Sequence, residues 1–141
     1  RVLDWVGGDD LQDLLADAMV FVLPSDLEGL SLALLDAMGA GVCVLTSDVP
    51  ENCEVVEGAG YTFRQGDVQD LARMLELLIS HPELRQAAAE AAQQRVRERY
   101  LWNDVAAQIE RAYRELISRP GDRPAFHGRD SGSQDRRRPA A

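Results

Sequence analysis

Lysine is absent from this chain of 141 residues, so arginine carries every basic role, a bias that reflects genome composition more readily than chemistry. Cysteine and histidine are scarce: Cys43, Cys53, His81 and His127 are the whole supply. They lack the tight spacing of a zinc cluster, and the two thiols read as buried and inert in a reducing compartment. The longest unbroken apolar run, Ala18 to Leu23, is far shorter than the roughly 20 residues that span a bilayer. No basic stretch followed by an apolar run marks a secretory signal at the start. There is no initiating methionine either, and Arg1 runs straight into strand-like sequence, the expectation for a segment that begins inside a larger protein. Internal repeats are also missing.

What is present is ordinary for one folded domain: 45% hydrophobic and 28% charged residues. The formal charge of −9 is unevenly spread. From Arg119 onward six Arg face three Asp, whereas the residues before it hold nine Arg against 21 acids. A body that acidic excludes general binding of nucleic acid or anionic membrane. Residues 119–141 lack periodicity and are rich in Gly, Pro, Arg, Asp and Ser, so they read as a disordered tail after a domain of residues 1–118. In that tail Arg136-Arg137-Arg138 reads as a solvated run and His127 as non-catalytic.

Strand-type and helix-type segments alternate. Val2–Val6 reads as a short strand, and Leu11, Leu14, Leu15 and Ala18 recur at helical spacing. Val20–Leu23, stopped by Pro24, and Val42–Leu45 read as buried parallel strands, with a helix from about Leu30 to Met38 between them. Thr46–Pro50 reads as a turn and Gly60–Phe63 as a weak strand. Helices alone follow. One is capped by Asp67, with Leu71, Met74, Leu75 and Leu78 as its buried stripe. An Ala-rich one begins at Pro82 and runs to about Arg99, and a last one covers about Asn103 to Ile117. Trp5 and Trp102 read as packing anchors and His81 as a cap. The pattern predicts an α/β fold: a Rossmann-like parallel sheet of four strands, short of its first strands, with helices on both faces and more helices after it. Such sheets bind ligands beyond the carboxyl ends of their strands.

One stretch stands out, Leu23-Pro24-Ser25-Asp26-Leu27-Glu28-Gly29-Leu30-Ser31-Leu32-Ala33-Leu34-Leu35-Asp36-Ala37-Met38. It leaves a buried strand and turns through Glu28-Gly29 into a helix. Free amides of Leu30, Ser31 and Leu32 at a helix start favour a phosphate, through both unsatisfied N–H groups and the helix dipole. Glu28 and Asp36 could accept hydrogen bonds from sugar or ribose hydroxyls. On spacing alone, Glu28 reads more readily as a cap or dipole partner and Asp36 as a solvated helix acid.

The same residues resemble the donor-binding signature of the family-four glycosyltransferases of the GT-B fold: Pro-Ser, Glu-Gly, then Glu-Ala-Met, with two Glu separated by seven residues. Here the pattern stands as Pro24-Ser25, Glu28-Gly29 and Asp36-Ala37-Met38. The likeness continues through Gly41–Val44, Ser47–Asn52, Glu54–Val56, Gly60–Phe63, Gly66-Asp67 and His81–Arg85, covering about Val2 to Leu116. The resemblance implies the carboxyl-terminal, nucleotide-sugar-binding half of such an enzyme, with the acceptor bound by an amino-terminal partner domain. Glu28 matches the acid beside the donor sugar and phosphates, the catalytic position. Gly29, Leu30, Ser31 and Leu32 match the turn that contacts sugar or pyrophosphate, and Asp36 matches the acid that holds the ribose. The family implies a retaining transfer of a hexose from a UDP- or GDP-sugar, with neither metal nor cofactor, in cytoplasmic polysaccharide biosynthesis. The parent enzyme would work at the inner face of the membrane as a peripheral protein.

The chain departs from that pattern in three places. Asp36 is one methylene shorter than the usual Glu, and Asp4 stands where the family has Gly. The family's basic pair for the leaving diphosphate falls upstream of Arg1, and Arg64 and Arg73 lie on other segments. These departures predict that the chain alone transfers no sugar. They also leave open an alternative of a different class, a non-catalytic module that holds a nucleotide sugar or only partners another protein.

Overall fold

The computed structural model describes residues 2–118. The element order is α1 (Asp9–Ala16), β1 (Phe21–Leu23), α2 (Leu32–Gly39), β2 (Val44–Ser47), α3 (Pro50–Val56), β3 (Tyr61–Phe63), α4 (Val68–Ser80), α5 (Pro82–Arg99) and α6 (Trp102–Ser118). The chain forms two compact units that divide within α6, one through Ala107 and one from Gln108. The first holds the sheet. In the second, the described residues are the rest of α6, where Ile109, Tyr113, Leu116 and Ile117 are exposed. The predicted disordered tail, with His127 and Arg136–Arg138, lies outside the described residues.

The three strands are parallel in the order β1-β2-β3, with Leu23 opposite Thr46 and Ser47 opposite Phe63. β2 is central and every one of its residues is buried. Its alternation divides the core in two. Val44 faces a cluster with Leu34, Ala37 and Met38 of α2 and Val55 and Val56 of α3. Leu45 faces a cluster with Phe63 and with Met74 and Leu78 of α4. α5 joins both, giving Ala92 to the first and Ala88 to the second. Helices thus cover both faces, as the alternating pattern predicts.

Leu34, Ala37 and Met38 have no exposed surface, which fixes α2 and therefore the turn before it. Burying one such leucine contributes about 1.5–3 kcal/mol. α2 stops at Gly41, whose φ of 79° suits only glycine comfortably. The Gly41 N–H donates to the Met38 carbonyl and the Val42 N–H to the Ala37 carbonyl, the paired bonds of a Schellman stop. Gly60 is needed for space instead, since a Cβ there would sit 2.6 Å from Val44 Cγ2 and 3.0 Å from Val56 Cβ.

Three expectations need correction. Residues 2–6 form no strand, so the sheet has three strands rather than four: Val2 and Trp5 are 98% and 95% exposed, and no neighbouring strand offers a ladder. Trp5 and Trp102 are exposed and anchor nothing in the core. The segment after β2 is helical, because Pro50 occupies the first turn of α3, where its missing N–H costs nothing. His81 does act at a helix end, but at the end of α4, where its Nδ1 lies 2.9 Å from the Leu77 carbonyl oxygen.

Candidate functional site

The carboxyl ends of the strands carry two strand-to-helix turns on either side of β2. Pro24 ends the ladder of β1, since it has no N–H to give, and the chain then loops over Ser25–Leu30. Ser31 caps α2, its hydroxyl accepting from the Leu34 N–H at 3.4 Å, a long bond. The first helical backbone bond to reach back is from Leu35 N–H to the Ser31 carbonyl. The amides of Gly29 through Ala33 therefore precede the helix's own hydrogen bonding. A Cβ added at Gly29 would meet nothing in the chain within 4 Å, so the space beside this turn is open.

Glu28 is half-buried, and one carboxylate oxygen accepts from the Ser25 hydroxyl at 2.6 Å. Asp36 is exposed, and among the described residues its carboxylate has neither a hydrogen-bond donor nor an ion-pair partner. α2 begins only at Leu32, so four helical steps, about 6 Å of rise, separate the helix start from Asp36. Asp36 borders a cavity of about 450 Å³ together with Leu30, Leu32, Tyr100 and Trp102. Glu28 is not among the residues lining that cavity, so the structure puts the two acids on one element without closing them around a single space. The exposed side chains of Leu30 and Leu32 also border it.

Across β2 the turn between β3 and α4 is closed by its own side chains. Asp67 accepts from the Gln69 and Asp70 N–H groups at 3.0 and 2.9 Å. Arg64, placed directly after β3, pairs with Asp67 at 3.0 Å, and Asp70 pairs with Arg73 at 2.7 Å. The Arg64 N–H and the Arg73 guanidinium hold the Asp70 carboxyl below its usual range. Gln65 bridges the two turns, giving its side-chain amide to the Asp26 carbonyl at 2.9 Å. Arg64 thus reaches the carboxyl edge of the sheet, but its charge is already matched. Asp4, like its neighbours from Val2 to Trp5, is exposed.

The chemistry of the thiols is muted. Burial pushes Cys43 up to about 11, with the nearby Arg85 charge opposing, and raises Tyr61 beside it. Cys53 is only half-buried, so the expectation of two buried thiols holds for Cys43 alone. Among the described residues no three His, Cys, Asp or Glu side chains gather as a metal-ligand group, and no helix is long and apolar enough to cross a membrane. Ser47 and Asn52 belong to the Ser47–Asn52 stretch that shares the family likeness, and the structure adds their hydrogen bonds at this edge. The Ser47 hydroxyl donates to the Ser25 carbonyl at 2.5 Å, and Asn52 Nδ2 lies 3.4 Å from both Ser47 oxygens.

A parallel sheet with helices on both faces and an open helix start at its carboxyl edge defines an α/β domain of the Rossmann type. Comparison with known proteins makes the class specific: the model of the family described as "Glycosyl transferases group 1" matches residues 1–95, and the chain belongs to that family. It is 33% identical over 109 residues to the Sulfoquinovosyl transferase SQD2 of Arabidopsis thaliana, covering 72% of this chain and 21% of that protein. It is 32% identical over 116 residues to the O-antigen chain mannosyltransferase B of Escherichia coli, covering 82% and 30%. The fold matches the solved sucrose-phosphate synthase of Thermosynechococcus elongatus with a TM-score of 0.72 and 27% identity, over 79% of this chain and 29% of that one. The chain spans about a fifth to a third of the length of these relatives and corresponds to the carboxyl-terminal domain of a GT-B glycosyltransferase.

Proposed function

We propose that this chain is the donor-binding portion of a retaining, metal-independent hexosyltransferase that uses a UDP- or GDP-sugar and passes the hexose to a glycan or lipid acceptor. In that reaction the bond from the anomeric carbon to the diphosphate oxygen breaks and a bond to an acceptor hydroxyl oxygen forms, the hydroxyl proton leaving with the diphosphate. The observation that carries the reading is the open turn between β1 and α2. Uncapped amides at Gly29 to Ala33 suit the diphosphate, Glu28 beside them suits the sugar, and Asp36 at the rim of the large cavity suits the ribose. A hexose donor agrees with the names of the relatives, which include two mannosyltransferases.

The acceptor side and the basic groups that neutralise the departing diphosphate belong, in this reading, to the remainder of the relatives' length. The chain of 141 residues alone therefore transfers no sugar, because catalysis needs donor and acceptor held together. Titration calorimetry of the chain with UDP-glucose, GDP-mannose and ADP-glucose tests the reading. Binding of one of the first two is expected, weakened by Asp36→Ala and unchanged or improved by Asp36→Glu, which restores the family's usual length. Binding of none of them, or binding indifferent to Asp36→Ala, contradicts it. In an intact transferase Glu28→Ala should lower kcat more than it raises the donor KM, since charge and sugar geometry change beside it during transfer.

A further inference from the structure

We propose that Ser47, seated by Asn52, is a positioning residue that aims the Glu28 carboxylate at the donor sugar. The proposal rests on the reading of Glu28 above. Backbone pairing between β1 and β2 ends at Leu23 and Thr46, because Pro24 can donate no further ladder bond. Beyond that point the turn carrying Glu28 has lost its backbone hold on the sheet. The next tie is a side chain: the Ser47 hydroxyl, on the last residue of β2, donates to the Ser25 carbonyl at 2.5 Å. Ser25 is thereby gripped at its carbonyl, and its own hydroxyl donates to Glu28 Oε1 at 2.6 Å.

Behind Ser47, Asn52 on α3 presents its side-chain amide to the Ser47 carbonyl and hydroxyl oxygens, each at 3.4 Å. Ser47 and Asn52 are each 1% exposed. Burying a hydroxyl and an amide is costly unless their bonds are made, so this chain of contacts specifies one arrangement of the turn. Ser47 borders a cavity of about 160 Å³ with Pro24, Ser25 and Asp26, but at that burial it offers a ligand almost no surface, and its effect on the donor passes through Ser25 and Glu28. Anchoring a carboxylate through buried bonds to a rigid strand narrows the orientations it can take before ligand arrives.

The test uses this chain and compares two affinities, for a nucleotide sugar and for its bare diphosphate: UDP-glucose against UDP, or GDP-mannose against GDP, whichever pair the unaltered chain binds more tightly. Glu28→Gln should reduce the advantage of the sugar-bearing ligand. Ser47→Ala should reduce it about threefold to tenfold, the range of one neutral hydrogen bond, while leaving the diphosphate affinity unchanged. In the Glu28→Gln background Ser47→Ala should have no further effect. If Ser47→Ala fails to fold, Ser47→Cys, similar in shape but a much weaker donor, is read in the same way.

A loss that falls equally on both ligands, a loss that persists without Glu28, or no loss at all overturns the positioning role while the reading of Glu28 stands. If Glu28→Gln leaves the sugar's advantage intact, or the unaltered chain binds neither pair, the reading itself falls and takes the positioning role with it.

Discussion

The two turns at the carboxyl edge of the sheet are built to the same plan and finished in opposite ways. Each follows a three-residue parallel strand and leads into a helix. At the start of α4, Asp67 takes two amides and Arg64, Asp67, Asp70 and Arg73 neutralise one another, so nothing remains to offer a ligand. At the start of α2, one long bond from Ser31 is the only side-chain cap, Gly29 faces open space, and Asp36 has no partner among the described residues. A helix start that satisfies itself contributes stability, and one left open is available for binding. The contrast also explains why Arg64, though correctly placed along the sheet edge, is a poor candidate for the diphosphate.

The contrast can be sharpened by mutating each side in turn. The largest effect should come from Asp36→Ala, which should weaken donor binding by about 1.5–3 kcal/mol, the worth of charged hydrogen bonds, with little change in thermal stability. Calorimetry and melting of the same sample separate the two. Asp67→Ala should do the reverse, costing about 1 kcal/mol of stability through the lost cap and leaving donor affinity as it was. For a domain of this size that is a fall in Tm of several degrees. Ser31→Ala should cost only about 0.5 kcal/mol, since its capping bond is long.

The smallest effect is the pH dependence of Asp70. Its carboxyl is held below 3.8, the ordinary value, so its contribution to stability is complete above that pH and is lost as pH falls through the lower native value. The difference in Tm between the unaltered chain and Asp70→Asn should therefore be constant near neutrality and shrink below about pH 4. A difference that grew on acidification would contradict the pairing. The thiols give a control on the core: at pH 8 iodoacetamide should modify Cys53 and spare Cys43 until the chain unfolds.

Local signals decided which parts of this architecture the sequence could reveal. The apolar run before Pro24, the cap at Asp67 with Asp70 three residues on, and the Ala-rich stretch after Pro82 each declare themselves within a few residues, and each is found. Val2–Val6 has a strand's composition, yet a strand exists only where another lends it a ladder, which no local pattern can show. The α3 helix was hidden by Pro50, which reads as a turn residue and serves here as a first-turn residue. The site divides likewise. Glu28, Gly29, Leu30, Ser31, Leu32 and Asp36 stand together in sequence, whereas Ser47 meets Ser25 across 22 positions and becomes visible only once β1 and β2 pair.

The most direct measurement is a titration of the isotopically labelled chain with UDP-glucose and GDP-mannose, followed through its backbone amide resonances. If the open turn is the donor site, the amides of Gly29 to Ala33 and of Asp36 shift with a common saturation, while those of Arg64 to Leu71 stay still. Shifts centred on Arg64 to Leu71, with the β1–α2 turn unmoved, would place the ligand at the self-satisfied turn and contradict the assignment.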